Sequence, residues 1–130
     1  MEIVLQTGSR QPIWRQLAEQ IREGVAQGRL LPGEQLPSVR DLARKLVINP
    51  NTVARVYLEL ERDGVLVTRP GVGVFVAPPR DELRDAVRRQ RLAEAVDRLL
   101  TEAVLLGFSE AELMAMVEER LASYRWPKVG

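Results

Sequence analysis

The sequence predicts a mainly α fold with a small β-wing: a winged helix-turn-helix domain over residues 1–78, then a two-helix tail over 79–130. Three observations predict it. Two short amphipathic segments, Val39 to Leu46 and Asn49 to Gly64, have only Val47 and Ile48 between them, and Pro50 forbids one straight helix. Two β-branched runs between Val65 and Val76 then flank a Gly/Pro turn. Beyond Pro78-Pro79, the residues Leu92, Val96, Leu99, Ala103 and Leu106 recur at alternating spacings of four and three, a heptad seam.

At 130 residues without Cys, the chain is long enough to bury a core without covalent staples. The absence of both His and Cys excludes the usual zinc sites and the Ser–His and Cys–His nucleophiles. The acidic pairs Asp81-Glu82 and Glu118-Glu119 are adjacent in sequence and point to different sides of a helix, so they form no catalytic dyad. No enzyme activity, metal or cofactor is expected. The leading Met-Glu-Ile-Val-Leu-Gln has an acid where a signal peptide needs positive charge, and no stretch approaches the roughly 18 apolar residues that span a bilayer. A cytoplasmic protein with no membrane partner is expected. Net charge is +1, divided as +2 over residues 1–79 and −1 over 80–130. Any claim of nucleic-acid binding therefore rests on where individual arginines stand.

Taken in order, Ile3 to Leu5 is expected as a short extended piece. Pro12 opens a helix running to about Ala26, with Ile13, Leu17, Ile21 and Val25 four apart and Gln27-Gly28 at its end. Pro32-Gly33 marks a turn, and Gln35-Leu36 fits one small strand. Ser38 stands at an N-cap position with Asp41 three residues on, an acidic variant of the capping box. In the next helix Asn49 caps, Pro50 occupies the first turn and Gly64 lies just past the end. Val53, Val56, Tyr57 and Leu60 make its apolar face, while Asn51, Thr52 and Arg55 stand opposite. Such a helix is suited to a DNA groove. Its leading N–H groups, amide and hydroxyl suit phosphate, and arginine bonds guanine O6 and N7 with two prongs.

Val65–Thr68 and Val74–Val76 are the expected strands of the wing. Gly71 and Gly73 supply the turn and let backbone approach a phosphate closely. In the tail, Leu83 and Val87 extend the apolar stripe toward the linker, Gly107 breaks the helix, and Ser109 to Glu112 is a full capping box. The last helix turns Leu113, Met116, Val117 and Leu121 inward, and Trp126-Pro127 ends the ordered chain or packs back. One further helix is too little to cover a seam this long. Homodimerisation is therefore expected through residues 83–121, with Leu92, Val96, Leu99, Ala103, Leu106, Leu113, Val117 and Leu121 at the interface.

The run from Gly28 to Ala43, the run from Asn49 to Glu61 and the Gly71-Val-Gly-Val-Phe-Val76 segment together strongly resemble the N-terminal domain of GntR-family bacterial transcription regulators. The short two-helix tail is similar to the YtrA subfamily, whose minimal C-terminal part dimerises. The resemblance implies DNA contacts from Ser38 and Arg40 of the Leu-Pro-Ser-x-Arg motif. It adds Asn51, Thr52 and Arg55 of the reading helix, and the wing tip Gly71 to Gly73 with Arg69 on its approach. Many relatives carry Lys or Arg between those glycines where this chain has Val72, so wing contact is either weaker here or rests on Arg69 and backbone N–H groups.

These observations give a homodimeric, sequence-specific DNA-binding regulator, a repressor acting on a near-palindromic operator, with transporter genes as targets by analogy. Its partners are double-stranded operator DNA and a second copy of itself. No effector is identified, and the tail has room only for a shallow site. The rival is a winged helix used for protein–protein contact without specific DNA binding, against which the exposed set Arg40, Thr52 and Arg55 argues.

Overall fold

A computed structural model describes residues 1–78 and 85–127. Pro79, Leu83 and the Asp81-Glu82 pair lie outside the described residues. The chain forms two compact units, Met1–Pro79 and Arg80–Gly130.

The first unit holds helices α1 (Ile13–Ala26), α2 (Val39–Leu46) and α3 (Pro50–Arg62) and an antiparallel hairpin of β1 (Leu66–Arg69) and β2 (Gly73–Val76). Leu17 and Ile21 of α1, Leu42 of α2, and Val53, Val56 and Leu60 of α3 meet Leu66 and Val76 of the hairpin in one sealed core. Each such side chain contributes about 1.5–3 kcal/mol by leaving water. Tyr57 also lies in this core, as its place on the apolar face of α3 requires.

The hairpin register pairs Leu66 with Val76 and Arg69 with Gly73. The first strand is therefore shifted by one residue from the expected Val65–Thr68, while the second contains the expected Val74–Val76 and starts one residue earlier. Val65 belongs to the helix exit, its N–H donating to the Leu60 carbonyl at 2.8 Å. The small strand expected at Gln35-Leu36 is a single bridge from Gln35 to Phe75, flanked by a hydrogen bond from Leu36 N–H to the Val74 carbonyl. Ile3 to Leu5 forms no strand. The N–H and C=O of Val4 bond to the Gln20 side chain (3.0 and 2.7 Å), and those of Gln6 to the buried Gln16 side chain (2.8 and 3.0 Å). Two glutamine amides on α1 thus take the place of a neighbouring strand.

Ser38 Oγ accepts from Asp41 N–H at 3.1 Å, whereas the Asp41 carboxylate stands 3.8 Å from Arg44. The cap works in one direction and is not the reciprocal box. Between α2 and α3, Val47 takes the left-handed conformation (φ 56°), with its N–H and that of Ile48 closing onto the Arg44 and Ala43 carbonyls. That closure ends α2 within one residue, and a β-branched side chain bears the strain.

The tail unit holds α4 (Asp85–Leu105) and α5 (Glu110–Leu121). Gly107 (φ 82°) ends α4 in the left-handed region that glycine tolerates. Ser109 and Glu112 exchange both capping bonds, 3.1 and 3.0 Å, and these bonds hold the Glu112 carboxyl below the usual carboxylate range. Trp126 packs back, its indole N–H donating to the Leu121 carbonyl at 2.8 Å. Of the expected seam, Ala103 is buried and Leu113 and Val117 are half-buried, while Leu92, Val96, Leu99 and Leu106 are exposed. Met116 and Leu121 are also exposed rather than inward, because two helices cover each other along one line only. With Leu99, Leu113, Val117 and Trp126 they line an apolar groove of about 340 Å³.

Candidate nucleic-acid interface

The proposed contact residues stand on three supports. Ser38 and Arg40 occupy the start of α2, Asn51, Thr52 and Arg55 the first turns of α3, and Arg69, Gly71 and Gly73 the hairpin. All are exposed except Thr52 and Gly73, which are half-buried.

The start of α2 is fastened to the buried face of α3. Tyr57, about two turns into α3 on its buried face, donates its hydroxyl hydrogen to the Pro37 carbonyl at 2.8 Å, one residue before the Ser38 cap. Burial pushes the Tyr57 hydroxyl up, so it remains protonated and able to donate. Asn49 Oδ1 accepts from Asn51 N–H at 2.8 Å and so orders the leading turn of α3. That bond occupies one of the donors that would otherwise face a phosphate.

The arginines differ in their surroundings. For Arg40 the competing partners are engaged elsewhere: Asp41 leans on Arg44, and Glu34 Oε1 accepts from Leu31 N–H. Among the described residues Arg40 makes no ion pair. Arg55 does make the competing pair, with its Nε 3.5 Å from Glu59 Oε1. Its guanidinium also lies over the Trp14 ring, 4.8 Å from the centroid. Arg69 lies over the Phe75 ring at the same distance.

The hairpin tip is held by a residue that sequence reading assigns only to a small strand. Gln35 Nε2 donates to the Val72 carbonyl at 3.1 Å, and a Cβ on Gly73 (φ 150°) would come within 2.5 Å of that nitrogen. Gly73 is thus needed for its backbone angle, and a Cβ there would push the Gln35 amide off Val72, whereas Gly71 (φ 76°) has open space and is needed for the angle alone. Trp14, Gln35 and Pro37 complete the arrangement. Sequence reading singled out none of them for this role.

Among the described residues no group of Asp and Glu gathers to hold a metal ion, and no helix is long and apolar enough to cross a membrane. Two capped helices joined by a tight turn, with polar residues on the leading turns of the second and a hairpin next to it, define a winged helix-turn-helix DNA-binding regulator. Residues 14–76 match the family described as bacterial regulatory proteins, gntR family. The HTH-type transcriptional repressor YtrA of Bacillus subtilis is 32% identical over 120 residues, covering 92% of each chain. The chain belongs to the GntR family and is similar to its YtrA-type regulators. A solved structure described as a transcriptional antiterminator from Listeria monocytogenes EGD-e superposes with a TM-score of 0.82 at 30% identity, covering 100% of this chain and 98% of that one. The AraR DNA-binding domain in complex with operator ORX1 superposes at 0.53 and 26% identity, over 59% of this chain and 96% of that one.

Proposed function

We propose that this protein is a cytoplasmic transcriptional repressor that binds a near-palindromic operator as a homodimer. Residues 1–78 contact DNA and residues 79–130 join the two copies. The observation that carries this reading is the leading face of α3, where Asn51, Thr52 and Arg55 are presented on a helix whose rear face is sealed in the core. Arg55 reads a base edge, and Ser38, Arg40, Asn51 and Thr52 set the register on phosphates. Arg69 and the Gly71–Gly73 backbone approach the flanking groove. Pairing is supported by the open seam of Leu92, Val96, Leu99 and Leu106, together with the apolar groove that continues it onto α5 through Leu113, Val117 and Leu121, with Ala103 packed beneath. Repression, and by analogy transporter genes as targets, follow from the likeness to YtrA-type regulators.

Selecting fragments from random DNA with the purified protein, followed by anisotropy across a salt series, tests this. Arg55→Ala is expected to weaken operator binding by about 1–3 kcal/mol and to relax preference at one base position per half-site. Arg40→Ala is expected to weaken all sequences alike and to flatten the salt dependence. Unchanged binding by both variants would sink the model.

A further inference from the structure

We propose that Trp14, on α1 and outside the helix-turn-helix, is a positioning residue for Arg55. Its indole holds the guanidinium over the leading turns of α3 before DNA arrives, and so sharpens the base preference read there. The proposal rests on Arg55 being a base contact.

Three observations carry it. Arg55 is held on two sides, by the Trp14 ring at 4.8 Å and by Glu59 at Nε, yet its side chain keeps 59% of its exposure. The head touches two neighbours but is still open to solvent. Trp14 itself is half-buried and packed against the core of the winged unit, so its ring has support on the side away from Arg55. Further along both helices Arg22 pairs with Asp63, which fastens α1 to the end of α3. Finally, the cation–π contacts among the described residues are Arg55 on Trp14 and Arg69 on Phe75. Both involve arginines proposed to face DNA. A free arginine must give up many rotamers to make a two-pronged contact, and one resting on a flat aromatic face has already given up most of them.

Operator affinity and base preference measured for Trp14→Leu, Arg55→Ala and the double variant test the coupling. Trp14→Leu is expected to weaken operator binding by about two- to fivefold, with the loss confined to the base position that Arg55→Ala relaxes. The loss should vanish when Arg55 is already alanine, and Trp14→Tyr, which keeps an aromatic face, should restore binding. An equal loss in both backgrounds, or none while Arg55→Ala weakens binding, overturns the positioning role. If Arg55→Ala leaves operator binding unchanged, Arg55 is no base contact and the role of Trp14 falls with it. Should Trp14→Leu fail to fold, fluorescence carries the test. With Trp126→Phe leaving Trp14 as the remaining one of the two indoles, Arg55→Ala is expected to raise acrylamide quenching of Trp14. Unchanged quenching would overturn the contact.

Discussion

The winged unit and the tail treat apolar surface in opposite ways. In the first, three helices and a hairpin close on themselves, and Leu17, Ile21, Val53 and Val56 lose all contact with solvent. In the tail, Ala103 is the buried hydrophobe among the described residues, while Leu92 and Leu106 stay 66% and 64% exposed. Three helices around a sheet can enclose a volume, whereas two can shield only a line between them. The winged unit therefore carries its stability within one chain. The tail offers a surface whose burial depends on something laid against it, which is the physical basis for proposing that it pairs with a second copy.

The contrast is broken most directly by Leu99→Glu. A charge in the proposed seam is expected to leave melting of the winged unit unchanged while light scattering falls to the monomer mass. Affinity for a two-half-site operator should drop by about 10²–10⁴-fold as the second half-site loses its avidity. Leu17→Ala is the converse. It is expected to cost about 2–5 kcal/mol in urea unfolding of the winged unit. A loss confined to a few tenths would show that this core is not the closed one described. Smaller again is Val47→Gly. Its side chain is 88% exposed and its φ is left-handed, so glycine relieves strain without losing burial. Chemical denaturation should show a gain of about 0.5–1 kcal/mol.

The smallest effect belongs to the tail. The Glu112 carboxyl is lowered by the bonds from Ser109, and the Asp85 carboxyl by the hydrogen bond from Arg89. A carboxylate held down in the folded state adds stability above its unfolded pKa and loses it as pH falls through the folded value. Tail helicity followed by circular dichroism is expected to decline slightly below about pH 4. Glu112→Gln should blunt the decline, since an amide can still accept from the Ser109 N–H without titrating.

What sequence reading captured was local. Ser38, Asn49, Gly107 and Ser109 start or end helices by reaching their own neighbours, so spacing along the chain contains the whole interaction. The apolar face of α3 was equally legible, because one period fixes which residues share a side. What escaped was fixed by tertiary placement. Tyr57 reaches back to Pro37, Gln35 reaches the hairpin tip at Val72, and Trp14 lies under Arg55. Each joins elements far apart in the chain, and no periodicity encodes which partner arrives. Of the proposed contact residues, sequence named the side chains and the structure added what holds them. Val47 escaped for a different reason, since a β-branched residue is a poor advertisement for a left-handed turn.

The glutamine pairing at the N-terminus has a consequence for how this chain opens. The amide hydrogens of Val4 and Gln6 are held by side chains rooted on α1, and Gln16 is buried with its amide fully engaged by the Gln6 and Gln11 backbone. These two hydrogens should exchange with deuterium in step with α1, although they belong to no helix or sheet. A segment that looks like a loose end is thereby a reporter on the first helix, and cutting it away would trade the Gln16 bonds to Gln6 for water while leaving the bond to the Gln11 carbonyl.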